Sequence, residues 1–251
     1  MTPLYRDDKP NTCRATLTAD VSGKALGDFI ANTLKAKSIG FLTLSDEFGT
    51  AMRDNVAQTA KEYGVTVTGQ EGFAKDASDF RTQITKIKAQ NSDAILVIPT
   101  AGQAEIIFRQ IKELGVTSTL ISDNWTIINQ NLKDRSLVEG VYFSNYDWAT
   151  TPGEQDAATT AEFKKAFREK FQSDPPVIAA TAYDSVQMLG LGLRAVGDTD
   201  PVAVGAWLTQ HINEYRGVTG SITLNEDCEG SRAVVIEQVK NGEFVNARVA
   251  E

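Results

Sequence analysis

The sequence contains a single histidine, His211, and only two cysteines, Cys13 and Cys228. One histidine excludes metal centres built on several imidazoles and leaves one base for any Ser-His-Asp arrangement. It falls in Leu208-Thr-Gln-His-Ile212, a helical pattern in which a solvated surface residue is expected. The cysteines are far apart and lack metal-ligand spacing. Two unpaired thiols are the plainer reading, with one disulfide in an exported protein as the alternative. No run of about eighteen apolar residues exists, so no membrane-spanning helix is expected. Residues 1–10 are polar and charged and lack the apolar centre of a signal peptide. A basic excess is missing too: 25 Lys and Arg are scattered among 33 Asp and Glu, which argues against nucleic acid as a partner. There is no Gly-Lys-Ser/Thr phosphate loop and no Gly-x-Ser-x-Gly elbow. Gly190-Leu-Gly192 lies inside a helical pattern without the third glycine of a dinucleotide fingerprint. Asp46 with Glu47 reads as helix N-terminal charge rather than half of a glycosidase dyad. No metal and no cofactor is expected.

What is present is an alternation. Apolar residues make up 41% of the chain, enough to build a core. Ile39-Gly-Phe-Leu-Thr-Leu44 is a short apolar run ending in Ser45-Asp46-Glu47, as a strand buried on both faces ends. Met52, Val56, Ala60 and Tyr63 then recur at helical spacing, and Gly64 stands where a C-cap falls. Val65 to Val67 opens the next strand. The cycle repeats with Ile84 and Ile87 on a helix, Ala94-Ile-Leu-Val-Ile98 as strand, and Ala104, Ile107, Ile111 and Leu114 as helix with Gly115 as stop. Leu120-Ile121 and Val141-Tyr-Phe143 add two strands. Repeated βαβ units make an open, doubly wound parallel sheet, whose ligands lie off the carboxyl ends of the strands. Those ends are residues 45–48, 99–103 and 123–125.

Beyond residue 146 the pattern is helical. Phe163, Phe167 and Phe171 form one stripe; Ile178, Tyr183, Val186, Leu189, Leu193 and Val196 form another. The aromatic stripe reads as core packing, not as a cofactor box. Pro201 begins a third helix with Val204 and Leu208. Ile222-Thr-Leu224, Val234-Val-Ile236 and Phe244-Val245 read as strands joined by turns at Glu229-Gly230 and Asn241-Gly242, the latter a strong hairpin signal.

Several phrases carry a resemblance. Thr18-Ala-Asp-Val-Ser-Gly-Lys-Ala-Leu-Gly-Asp-Phe-Ile30, Asp46-Glu-Phe-Gly49, Ala77-Ser-Asp-Phe80, Ser92-Asp-Ala-Ile95, Glu139-Gly-Val141, Ala180-Thr-Ala-Tyr-Asp184 and Thr219-Gly-Ser-Ile-Thr-Leu224 occur in one order over almost the whole chain. Together they resemble the type I periplasmic binding proteins, the branched-chain amino-acid binding family. That family delivers small molecules to ABC importers and recurs in receptor sensor domains.

The resemblance implies an α/β protein with doubly wound, Rossmann-like lobes. Residues 1–18 and 146–218 correspond to a remnant of the N-terminal lobe, and residues 19–145 and 219–251 to the C-terminal lobe. Nothing here matches the βαβ set with which the family begins, so lobe one is expected to be incomplete. The chain reads as a fragment, or as a gene begun at an internal methionine. The helical stripes of residues 157–215 then lack the sheet they pack on and leave an apolar face open to water, which favours association.

The implied function is extracytoplasmic solute binding for an ABC importer. A small polar organic ligand, an amino acid or a relative of one, is held between two lobes by hinge closure. The partners are that ligand and the importer's membrane subunits, and the location is periplasmic or extracellular. A receptor sensor domain is the alternative, and an α/β enzyme the third class. The candidate ligand-binding residues are Ser45, Asp46, Phe48, Thr100, Ala101, Gln103, Asn124 and Trp125. Phe48 matches an aromatic lying against the ligand. Thr100 and Asn124 match positions at which amino-acid binders carry an aromatic and an acid. Asn124 lacks that carboxylate, so the ammonium partner passes to Asp123, Asp46 or Glu47, or the ligand is not an amino acid. Trp125, and likewise Tyr146 and Trp148, reads either as an apolar wall or as loop packing. With one wall present, ligand is expected to bind this chain weakly or not at all.

Overall fold

The computed structural model describes residues 12–128, 132–146 and 157–247. Trp148 lies outside them. The chain forms two compact units, one of residues 19–145 and 234–247, the other of residues 12–18 and 146–233.

The first unit is a doubly wound sheet. Its parallel strands are β1 (Ser38–Leu44), β2 (Thr66–Phe73), β3 (Ala94–Ile98), β4 (Thr119–Asp123) and β5 (Tyr142–Tyr146), in the order β2-β1-β3-β4-β5. Helices α1 (Ala19–Asp28) and α2 (Glu47–Glu62) cover one face; α3 (Arg81–Ala89) and α4 (Ala104–Glu113) cover the other. A π-helical turn, Phe29–Thr33, extends α1. Both faces are sealed. Leu26, Ile30, Met52 and Val56 pack with Phe41 and Leu96 on one side, and Ile84, Ile87, Ile107 and Phe108 pack with Leu42 and Val97 on the other. This two-sided burial is why β1 and β3 are apolar throughout instead of alternating. Gly64 and Gly115 end α2 and α4 with φ of 80° and 62°, as their place after the helical stripes implies.

A hairpin completes this sheet beyond β5. Strands β9 (Val234–Lys240) and β10 (Glu243–Asn246) are antiparallel and turn at Asn241-Gly242, both with positive φ. That is the Asn-Gly geometry two-residue hairpins require. The Glu139 carboxylate accepts the Asn241 backbone N–H at 2.8 Å and holds the turn.

The second unit contains α6 (Ala157–Phe171), α7 (Val177–Val196), α8 (Pro201–His211) and a small antiparallel sheet of β6 (Tyr215–Gly217), β7 (Gly220–Leu224) and β8 (Gly230–Ser231). Here the sequence-based boundary needs correction. Residues 219–251, with strands from Ile222 on joining or flanking the lobe of residues 19–145, are the expectation; Ile222-Thr-Leu224 instead pairs with Tyr215–Gly217 and with Gly230–Ser231, and only from residue 234 does the chain belong to the first unit. Strand periodicity reports that a segment is extended and not which sheet it joins.

The cysteines also differ from the plainer reading. Cys13 and Cys228 form a disulfide with Cα atoms 4.7 Å apart, inside a cluster with Met188, Leu208 and Ile222. Nearby, the fully buried Asp184 accepts the backbone N–H groups of Val218 at 2.7 Å and Thr219 at 2.9 Å. Arg232 lies 3.8 Å from Asp184, donates to Thr219 Oγ1 and the Ala15 carbonyl, and stacks over the Tyr146 ring, whose hydroxyl accepts the Leu17 N–H. Tyr146 is thus a packed structural residue.

The helical stripes of this unit are open. Val186 is 66% exposed and Phe171 55%, and Ile178, Tyr183 and Leu189 are exposed as well. Phe167 contacts Phe163 on one side and Phe171 on the other, ring to ring, but the stripe is not buried as core. His211 is exposed on α8 and stacks on Trp207, consistent with a surface residue.

Candidate functional site

All five parallel strands end at one edge of the sheet, and the order reverses between β1 and β3. Such a switch point is where open α/β sheets bind ligands. The eight sequence-predicted residues follow three neighbouring strands: Ser45, Asp46 and Phe48 after β1, Thr100, Ala101 and Gln103 after β3, and Asn124 and Trp125 after β4. Adjacent strands lie about 4.8 Å apart, so these ends span roughly 10 Å, the width of a small metabolite.

Each loop is held from within. Asp46 caps α2, its Oδ1 accepting the Gly49 N–H at 2.7 Å. A Cβ at Gly49 would lie 2.1 Å from the Leu44 carbonyl oxygen, so only glycine lets the helix start this close to the strand. Phe48 is half-buried and packs against the cluster containing Met52 and Val56. Ser45 and Ala101 are exposed. Thr100 is half-buried; its N–H and hydroxyl both donate to Gln103 Oε1, at 3.2 and 3.0 Å.

Gln103 is engaged at both ends of its amide. Its amide nitrogen donates to the carbonyls of Ala74, Lys75 and Ala77 at 3.0, 3.2 and 3.0 Å. Those carbonyls follow the end of β2 and need donors, which Gln103 supplies. With both ends of its amide engaged inside the protein, it ties the loops after β2 and β3 together.

After β4 a short helix, α5 (Asn124–Ile127), begins at once, capped by Asp123, whose Oδ1 accepts the Thr126 N–H at 3.0 Å. Burial raises the Asp123 pKa above its ordinary value, offset by its hydrogen bonds to Thr126. Its Oδ2 has no hydrogen-bond partner among the described residues, nor has the hydroxyl of Ser144, its in-register neighbour on β5. Asn124 is buried and donates to Asn145 Oδ1 at 3.4 Å; Trp125 is 40% exposed. Asn145 in turn donates to Glu237 Oε2 at 2.7 Å. Neither Asn145 nor Glu237 was among the sequence candidates. The sequence offers no clear signal for Glu237: a carboxylate in Val234-Val-Ile-Glu-Gln-Val239 reads equally as a solvent-facing strand residue. No group of three or more His, Cys, Asp or Glu side chains suited to a metal occurs among the described residues.

A two-sided sheet with polar loops at its switch point, in this strand order, has the type I periplasmic binding fold. Residues 4–243 match the periplasmic binding protein family, and the chain belongs to it. It is 26% identical over 199 residues to an amino acid binding protein of Pseudomonas aeruginosa, covering 76% of this chain and 50% of that protein. It is also 26% identical over 212 residues to the leucine-, isoleucine-, valine-, threonine- and alanine-binding protein of the same organism, covering 82% and 54%. Among solved structures, a solute-binding protein of an ABC transporter from R. palustris, in complex with benzoate, superposes with a TM-score of 0.84 at 17% identity over 95% of this chain and 65% of that one. The chain spans about half the length of the curated relatives it matches. These relatives are binding proteins.

Proposed function

We propose that this chain carries one ligand-binding wall of an extracytoplasmic solute-binding protein that serves an ABC importer. The observation that carries the reading is the convergence of Phe48, Thr100, Asn124 and Trp125 on three adjacent strand ends at the switch point. A half-exposed indole beside amide and hydroxyl groups suits a small organic molecule with an apolar body and polar substituents. The disulfide supports a periplasmic or extracellular location, since such bonds persist in oxidising compartments. The relatives it matches are binding proteins, which supports binding over catalysis.

The polar contacts of one wall are about half of a full set, at about 0.5–1.5 kcal/mol each, so this chain binds several orders of magnitude more weakly than a complete site. Calorimetric titration with L-leucine, benzoate and 3,4-dihydroxybenzoate should give about millimolar or weaker association with at least one of them, the compound being recovered unchanged. Chemical conversion of a bound compound would replace this reading with an enzymatic one.

A further inference from the structure

We propose that Glu237 is a positioning residue that fixes which end of the Asn124 amide the site presents, and thereby selects ligands that bring a hydrogen-bond donor to the end of β4. The proposal rests on the solute-binding reading above.

The geometry is a relay of three side chains from three parts of the chain. Glu237, on β9, is fully buried, and its Oε2 accepts the Asn145 amide nitrogen at 2.7 Å. Asn145, also fully buried at the end of β5, turns its Oδ1 to the Asn124 amide nitrogen, 3.4 Å away. Asn124 is the first residue after β4 and is nearly buried. An asparagine amide is chemically two-faced, one end donating and the other accepting, and nothing in its own shape says which end goes where. A carboxylate is not: ionised, it only accepts. Glu237 therefore requires the NH2 end of Asn145, which leaves the Asn145 oxygen for Asn124. That oxygen in turn requires the NH2 end of Asn124. Asn124 keeps its carbonyl oxygen, an acceptor, for a ligand, while one of its two N–H groups is spent on Asn145.

An amide oxygen is neutral, and a neutral acceptor holds an ammonium less strongly than a carboxylate at the same position would. It pairs well with a hydroxyl, a phenol or an amide N–H. The ligand class this edge fits is thus a small organic molecule carrying a neutral donor. A compound with only an acceptor at that point would meet the Asn124 oxygen with like polarity and leave a nearly buried group unpaired. Glu237 itself touches no ligand in this arrangement; it acts through Asn145. Asn145 is not its only interaction partner, which helps a carboxylate persist in a buried place.

Two measurements test this on the chain as it is. In the unliganded protein, NMR of the side-chain amides should show a coupling across the hydrogen bond from Asn145 Nδ2 to the Glu237 carboxyl carbon. The Asn124 amide protons should exchange with solvent at least about tenfold more slowly than those of the exposed Asn91. In E237Q, whose side chain has the same shape but can donate or accept, both signatures should weaken. Fast-exchanging Asn124 amide protons in the wild type would overturn the relay without reference to any ligand. The second measurement titrates 3,4-dihydroxybenzoate against 3,4-difluorobenzoate, near-isosteric probes that differ in donor capacity. The dihydroxy compound should bind the wild type about tenfold more tightly, and that ratio should fall below about threefold in E237Q. An unchanged ratio in E237Q overturns the selection. If neither probe shifts the Asn124 or Trp125 signals while the amide result holds, the solute-binding reading and the ligand half of the proposal fail together, and the polarity relay stands.

Discussion

Cys13 and Cys228 are bonded to each other across 215 residues, tying the segment before α1 to the loop before β8. A cross-link of that span removes much of the freedom of the unfolded chain. Its reduction, or the double substitution C13S with C228S, should lower stability by about 2–5 kcal/mol. Urea unfolding with and without dithiothreitol checks this. An unchanged midpoint would mean that the packing of Met188, Leu208 and Ile222 holds the segment without the bond.

Asp184 and Arg232 should behave as a coupled pair. Removing the carboxylate leaves the N–H groups of Val218 and Thr219 without their acceptor and the Arg232 guanidinium buried without its counter-ion, while burial already lowers the Arg232 pKa. D184A should cost about 3–5 kcal/mol, and D184A with R232M should recover part of that loss. Equal costs for the single and double variants in urea unfolding would contradict the coupling.

The pH dependence of stability has two opposite components. Asp123 has its pKa raised by burial, so the folded chain keeps a proton that the unfolded chain has lost, and stability falls as pH rises from about the ordinary 3.8 through the folded value. D123N retains the N-cap and removes this penalty, so it should be at least as stable as the wild type at pH 7, with the advantage vanishing below about pH 4. Asp93 is the reverse. The backbone N–H groups of Lys37 and Ser38 hold its pKa below 3.8, and its contribution is present above that value and lost as pH falls through the folded one. D93N should therefore destabilise at neutral pH and matter less in acid. Thermal melts of both variants from pH 3 to pH 8 decide it; a D123N advantage that grows on acidification would contradict the assignment.

Much of this was legible in the sequence because the relevant physics is local. The apolar runs of β1 and β3, the stripes of α2 and α4, the stops at Gly64 and Gly115 and the Asn241-Gly242 hairpin each depend on a few consecutive residues. A parallel strand order alone puts Asp46, Thr100 and Asn124 at one edge of the sheet. What was not legible is pairing over distance. Gln103 reads in the sequence as a ligand-contact candidate after β3, and nothing local shows that the carbonyls of Ala74, Lys75 and Ala77 take its amide N–H groups. Asn145 with Glu237, Cys13 with Cys228, and β7 with β6 instead of the large sheet are likewise choices of partner.

The exposed apolar residues of α7 predict self-association. Ile178, Tyr183, Val186 and Leu189 stand on one helix with large exposed areas, and Phe171 adds to them from α6. Patches of this kind drive proteins together. Light scattering should show a mass that rises with concentration, and V186E with L189E should reduce it. A monodisperse monomer at every concentration would show that this face tolerates water.

The most direct test of the binding edge is residue-resolved NMR of this chain titrated to millimolar benzoate, 3,4-dihydroxybenzoate and L-leucine. Saturable shifts confined to the amides around Phe48, Thr100, Asn124 and Trp125, at about millimolar affinity and abolished by N124A with F48A, are the expected result. Shifts that cluster on the second unit, or no shifts from any of the three compounds, would contradict a ligand wall at the carboxyl ends of β1, β3 and β4.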